Sequence, residues 1–466
     1  MNRTPSLTAS LGIHGWRDLD ALLLAALSLE APVLLVGAHG TAKTLLAERV
    51  AGALGLEFRH YNASLLNYDD LVGIPMPSAQ GTLEFVSSPG SIWGAEFAFF
   101  DEISRCRPDL QNKLFPLVHE RRVAGVDLPL LRHRWAAMNP PCGSSEAEPA
   151  DQMYLGSEEL DPALVDRFPF ILSAPGWRDL SREDRLALVC SAEPEPGAPL
   201  ASFLGMCLQL QERIGAQLGD RLAEYVVQLL DHLQAASIPQ SPRRARMLHQ
   251  TALAVHAARL LLQGDRVQAG DSVEQAILHG LPQNASPEPP SALKVRAAHQ
   301  QAWKLSGLDR ADPWRQVLAE LDPLRRVVLA DRLDFCDSDL SRLVLQALAS
   351  VDTEPDRIAL STAVYARYGS RRDLTPAAWE TLCQYVGRLF EPRDRRQMVG
   401  PGPVLELWQD LQRHLGSQPL PSARQRLERN FLLAGFPDLW LRWSWRDSLA
   451  TLRRNLDLFE VSEVAS

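Results

Sequence analysis

An apolar run, Val33-Leu34-Leu35-Val36, passes directly into Gly37-Ala38-His39-Gly40-Thr41-Ala42-Lys43-Thr44 and then into a helix-patterned stretch that begins at Leu45. A strand, a glycine-bearing loop and a helix in that order leave few architectures open, because such a loop joins a buried strand to the helix that covers it. A loop of this kind can also cradle a phosphate. The phosphate-loop pattern G-x-x-x-x-G-K-[ST] needs backbone N–H groups turned inward, a lysine for the β- and γ-oxygens, and a hydroxyl for Mg²⁺. Gly37, Lys43 and Thr44 fit those roles, and Ala38, His39, Gly40, Thr41 and Leu45 complete the cradle, while Ala42 stands where the pattern asks for glycine. An ordinary strand-to-helix loop with a surface lysine would use the same residues, so the loop gains meaning only from the strands downstream of it.

Further strand signals fall at 57–62, 97–100, 134–138 and 168–172, with helical patterns in the longer segments between them. Right-handed βαβ units in a doubly wound parallel sheet are the natural reading. Phe97-Ala98-Phe99-Phe100 runs into Asp101-Glu102, a carboxylate pair at the carboxyl end of a buried strand, where such folds place their chemistry. Asp101 would hold Mg²⁺ through its waters and Glu102 would orient and activate an attacking water; an acidic first turn of a helix is the plain alternative. Asn139, after the next strand, suits a positioning role at the γ-phosphate, or else a turn before Pro140. Arg167 precedes the last strand and reads by itself as a helix C-cap or a surface ion pair. A phosphate loop followed by an apolar strand ending in Asp-Glu is the order a nucleotide hydrolase requires.

Beyond Trp177 strand signals stop, and amphipathic helices follow, one of them opened by Ser241-Pro242-Arg243-Arg244 with a favoured N-cap and a proline at the first helical position. Residues 281–291, LPQNASPEPPS, read as a linker, and the remainder is helix-patterned without a clear fixed period. A chain of 466 residues exceeds one core. The expected partition is 1–178 for the α/β part, 179–285 for an all-α part and 286–466 for a mainly α-helical C-terminal region. The net charge of -9 argues against nucleic acid as a partner. Six scattered cysteines without a C-x-x-C pair suit reduced thiols in a cytoplasmic protein. The apolar stretch 21–36 is broken by Glu30 and Pro32, so neither a membrane span nor a signal peptide is expected. Trp440, Trp443 and Trp445 suit core packing or a partner surface, and Arg393, Arg395 and Arg396 a solvated loop.

The ordered set GAHGTAKT, FAFFDEIS, AAMNPP and LVDRF resembles the AAA+ ATPases, specifically the MoxR branch, whose phosphate loop commonly carries alanine at the place of Ala42. The resemblance covers roughly residues 10–285, with 68–95 similar to the helix-2 insert of that branch and 120–134 similar to the insert before sensor 1. It implies Lys43 and Thr44 as Walker A, Asp101 and Glu102 as Walker B, and Asn139 as sensor 1. Arg167 resembles an arginine finger that acts on the neighbouring subunit's nucleotide. Arg243 matches sensor 2 of a helical lid, with Arg244 as the second candidate. Asn62 would restrain Glu102, or else simply end its strand in a turn. ATP and Mg²⁺ would then bind between subunits of a ring, expected to be a hexamer. The implied role is a chaperone-like remodeller or assembly factor for partner proteins, often alongside a von Willebrand A domain protein. A nucleic-acid-stimulated motor of the helix-2-insert branch and a nucleotide-dependent switch or scaffold with little turnover are the alternatives.

Overall fold

The computed structural model describes residues 6–77, 83–86, 88–141, 159–190, 199–309, 311–390, 402–416 and 422–461. The chain divides into two compact units, Met1–Gly307 and Leu308–Ser466. The first opens with α1 (Leu7–Ser10), α2 (Asp20–Ser28), β1 (Val33–Val36), α3 (Lys43–Leu54), β2 (Phe58–Asn62) and α4 (Tyr68–Val72). A hairpin of β3 (Ile74–Pro77) and β4 (Leu83–Val86) follows, then β5 (Phe97–Asp101) and α5 (Pro108–Glu120). A second hairpin, β6 (Arg122–Val123) and β7 (Val126–Asp127), leads to β8 (His133–Met138), α6 (Pro162–Val165) and β9 (Phe170–Ser173). Helices α7 (Arg182–Val189), α8 (Leu200–Ala235), α9 (Pro242–Gln263), α10 (Ala269–Leu278) and α11 (Ala292–Ser306) complete the unit.

The main sheet has the order β2-β5-β8-β1-β9, and every pairing in it is parallel. Side chains alternate along each strand, so a central parallel strand must be apolar on both faces. Val33 and Leu35 of β1, Phe97 and Phe99 of β5, and Trp135 and Ala137 of β8 enter one core, which they share with α2, α3 and helices α8 to α11. Leu34 and Val36, Ala98 and Phe100, and Ala136 and Met138 enter a second core against Leu110, Leu114, Leu117 and Val118 of α5. This layering is why the apolar runs show no alternation. β9 begins at Phe170 rather than at 168, because the Phe168 N–H turns back onto the Val165 carbonyl at 3.0 Å.

The break expected at 285/286 does not coincide with the edge of the compact unit. Helix α11, beyond the proline-rich stretch, packs back on α8: the Tyr225 hydroxyl lies 2.8 Å from His299 Nδ1, and Trp303 meets the Tyr225 ring edge-on at 5.5 Å. These contacts carry the first unit on to Gly307.

The second unit is all helix among its described residues: α12 (Pro313–Ala319), α13 (Pro323–Arg332), α14 (Asp337–Ala349), α15 (Glu354–Tyr368), α16 (Pro376–Phe390), α17 (Pro403–Leu415), α18 (Ala423–Gly435) and α19 (Trp445–Leu458). Asp312, Asp322 and Thr353 cap α12, α13 and α15 through their side chains, each with a proline in the first turn. Trp440 and Trp445 are buried in this unit's own core and Trp443 packs against it, with Trp440 Nε1 donating to the Leu432 carbonyl at 2.7 Å. The tryptophan cluster is therefore core packing. Arg393, Arg395 and Arg396 lie outside the described residues. Among the described residues no helix is long and apolar enough to cross a membrane.

Candidate active site

The loop between β1 and α3 is pinned from both sides. The Gly37 N–H donates to the Met138 carbonyl of β8 at 3.1 Å, and the Ala174 N–H donates to the Val36 carbonyl at 2.7 Å. Gly37 has no room for a side chain, since a Cβ there would lie 2.6 Å from the Ala174 Cβ. Ala42 adopts φ 64° and ψ 20°, the left-handed conformation for which the phosphate-loop pattern reserves a glycine. No side chain caps the start of α3. Its first-turn N–H groups, those of Lys43, Thr44 and Leu45, therefore present the positive end of the helix dipole to the loop, an arrangement that attracts phosphate. Lys43 is only 8% exposed, and its ammonium donates to the carbonyls of Gly37 at 2.7 Å and Ala38 at 2.8 Å. Burial pushes its pKa below the ordinary lysine value, while the charges of Asp101 and Glu102 pull the other way.

Two elements away, β5 delivers its carboxylates to the same end of the sheet. Thr44 Oγ1 donates to Asp101 Oδ2 at 2.8 Å, and the Glu102 N–H donates to Asp101 Oδ1 at 2.9 Å. His60 of β2 brings Nε2 to 3.7 Å from Asp101 Oδ2. Burial raises the Asp101 pKa, but its contacts with His60, Thr44 and the Glu102 N–H outweigh that and hold the carboxyl below its usual range. The interaction with Asp101 likewise raises the His60 pKa, against burial. Glu102 takes a left-handed backbone, φ 53°, which for a non-glycine residue marks strain of the sort found at functional sites. Its Oε1 lies 3.7 Å from Arg105 Nη1. Asn139 directly follows Met138, whose carbonyl holds Gly37, so it borders the loop. The Asn62 amide oxygen accepts from the Ser64 N–H at 3.0 Å and from Ser64 Oγ at 2.6 Å, which makes it the end-of-strand turn.

An ionised carboxylate and a hydroxyl, already joined by a hydrogen bond, are hard oxygen donors and fit Mg²⁺, which keeps several waters and takes few protein ligands beside substrate phosphates. Among the described residues no group of three or more His, Cys, Asp or Glu could cage a metal.

The arginines lie at the other end of the sheet. The loop, Asp101-Glu102 and Asn139 follow strand carboxyl ends, whereas Asp166, Arg167 and Phe168 precede the amino end of β9. The four residues of β9 alone rise about 13 Å between those ends. The Arg167 guanidinium sits over the Phe115 ring, 4.6 Å from its centroid, and donates to the Ala163 carbonyl of α6, a C-cap contact. Asp166 gathers Ser241 Oγ at 2.8 Å, Arg243 Nη1 at 3.3 Å and Arg244 Nη2 at 3.2 Å. Arg244 is fully buried and also donates to the carbonyls of Phe168 at 2.8 Å and Gly280 at 3.1 Å, so its guanidinium is spent within the chain. Arg243 is 39% exposed and close enough to Arg167 for each to feel the other's charge. Neither Arg167 nor Arg243 is brought to this chain's own loop. The sequence reading did not single out His60, Arg105 or the organising part of Asp166. Only Asp166 had a signal, its place in LVDRF beside Arg167.

Residues 32–168 match the family model of the AAA domain, dynein-related subfamily. YeaC, an uncharacterised protein of Bacillus subtilis (strain 168), is 29% identical over 250 residues, spanning 52% of this chain and 74% of its own length. A solved structure of a candidate ATPase from Cytophaga hutchinsonii is 19% identical, covers 59% of this chain and 83% of that one, and superposes with a TM-score of 0.42. The matched family model runs from the start of β1 to the turn before β9, and so takes in the loop, Asp101 and Glu102, Asn139 and Arg167. With its parallel five-stranded sheet, and with the loop and the carboxylates at one end of it, the segment 32–168 has an AAA+ fold and is similar to the AAA domains of the dynein-related subfamily.

Proposed function

We propose that the chain binds ATP with Mg²⁺ on the loop Gly37 to Thr44 and hydrolyses it to ADP and phosphate, as a subunit of an AAA+ assembly of MoxR type. The observation that carries this reading is the hydrogen bond from Thr44 to Asp101, which ties the phosphate loop to the carboxylates across the sheet. Lys43 exchanges its two carbonyl contacts for β- and γ-phosphate oxygens, a short move for a flexible ammonium. Thr44 and Asp101 would hold Mg²⁺, which neutralises charge on the phosphates when bound. Glu102 accepts a proton from the attacking water, the new P–O bond forms at the γ-phosphorus, and the bond to the β–γ bridging oxygen breaks with ADP as leaving group. The Asn139 amide orients water and γ-oxygen.

Arg167, with Arg243 beside it, serves the nucleotide of the next subunit in a ring, which we take to be a hexamer. Arginine fingers contribute about 10³–10⁵ in rate elsewhere, so an isolated chain would turn over slowly. The work done is remodelling or assembly of partner proteins, a von Willebrand A domain protein among them, in the cytoplasm. Supporting this class are the MoxR resemblance and the net charge of -9, which disfavours a nucleic-acid track. The test is nucleotide binding and ATP turnover in Lys43→Ala and Glu102→Gln. Lys43→Ala is expected to lose binding, and Glu102→Gln to bind while turning over about 10²–10⁴-fold more slowly. Turnover that survives Lys43→Ala would sink the reading.

A further inference from the structure

Asp101 has a neighbour that belongs to no phosphate-loop pattern. β2 pairs with β5 so that His60 stands opposite Phe99 and Asn62 opposite Asp101. Residues two apart share a face of the sheet. The His60 ring therefore lies against Phe99, with centroids 5.7 Å apart, and reaches diagonally to Asp101. Its Nε2 stops 3.7 Å from Asp101 Oδ2, the oxygen that also accepts from Thr44 Oγ1 at 2.8 Å. The other oxygen, Oδ1, accepts from the Glu102 N–H. Contacts from β2, from the start of α3 and from the end of β5 thus bear on one carboxylate. At 3.7 Å the His60 contact is electrostatic rather than a hydrogen bond, so it biases the carboxylate's orientation without replacing Thr44 as its partner.

We propose that His60 is a positioning residue for the cation half of the site: acting through Asp101, it sets the orientation in which carboxylate and Thr44 hydroxyl receive Mg²⁺, and so the Mg²⁺ dependence of nucleotide binding. The proposal rests on the nucleotide-site reading above. Groups that orient a metal-ligating carboxylate commonly change metal affinity by about 10–100-fold when removed. His60 has a side chain 40% exposed and a long contact, which places it at or below the lower end of that range.

The full chain is titrated with Mg²⁺ at a fixed concentration of a fluorescent N-methylanthraniloyl ADP, and the same probe's affinity is measured in EDTA. His60→Phe keeps the ring against Phe99 and removes the nitrogen, whereas His60→Gln keeps an N–H donor at about the reach of Nε2. The expected result is a rise of about 3–10-fold in the Mg²⁺ needed for half-maximal binding in His60→Phe, unchanged affinity in EDTA, and a return to within about twofold of wild type in His60→Gln. A His60→Phe curve that overlays wild type overturns the proposal, as does an equal loss with and without Mg²⁺, which would mark a packing role. Lys43→Ala separates the two readings. Probe binding indifferent to Lys43→Ala removes the nucleotide site itself, and the proposal falls with it.

Discussion

Ala42 holds a left-handed backbone at φ 64° in the position where the phosphate-loop pattern carries glycine. A side chain there costs about 1–2 kcal/mol. Glycine would regain that strain but lose about 0.4–1 kcal/mol to its freer unfolded chain. Ala42→Gly is therefore expected to stabilise the chain by about 0.5–1 kcal/mol, read as a higher denaturant midpoint at unchanged slope. A lower midpoint would show that the methyl group has a packing role that outweighs the strain. Lys43, Thr44 and Asp101 were legible in the sequence because their chemistry fixes both residue type and order along the chain. His60 was not, because its part depends on which strand lies beside β5, and that pairing leaves no local pattern.

The junction of α9 with the turn before β9 shows the same limit at the scale of elements. Ser241-Pro242-Arg243-Arg244 was readable as a helix start, and the Ser241 side chain does cap α9. Which arginine turns inward was not readable, since one step along a helix rotates the side chain by about 100° and the deciding partner, Asp166, is distant in sequence. Arg244 is fully buried with Asp166 as its carboxylate partner. Asp166→Ala would strand that charge, and the expected cost is about 3–5 kcal/mol in chemical unfolding. A loss below about 1 kcal/mol would show that the carbonyls of Val165, Phe168 and Gly280 satisfy Arg244 without it. The expected boundary at 285/286 and the edge of the compact unit at Gly307 differ for a related reason. Proline content describes the stretch itself, whereas the edge of the unit is set by Tyr225, His299 and Trp303 on helices to either side.

For the whole molecule, the first unit's loop and its Arg167 stand at opposite ends of one parallel sheet. On the proposed reading, Lys43→Ala and Arg167→Ala chains are each inactive alone, because every interface lacks one half. Mixed in equal amounts, they regain intact interfaces wherever the loop of an Arg167→Ala chain meets the arginine of a Lys43→Ala chain. ATP turnover of about a quarter of wild type is expected, rising with protein concentration. No recovery on mixing would refute action between subunits.

That separation also makes the first unit a polar building block. A two-fold pair presents the same patch from both partners, and such a contact cannot engage unlike surfaces at opposite ends of a sheet. On the proposed reading, association would therefore run head to tail and stop only where the rotation per subunit closes it. An assembly that failed to close would then keep one unserved loop at its terminus, so closure itself, rather than subunit number, would decide whether every loop is served.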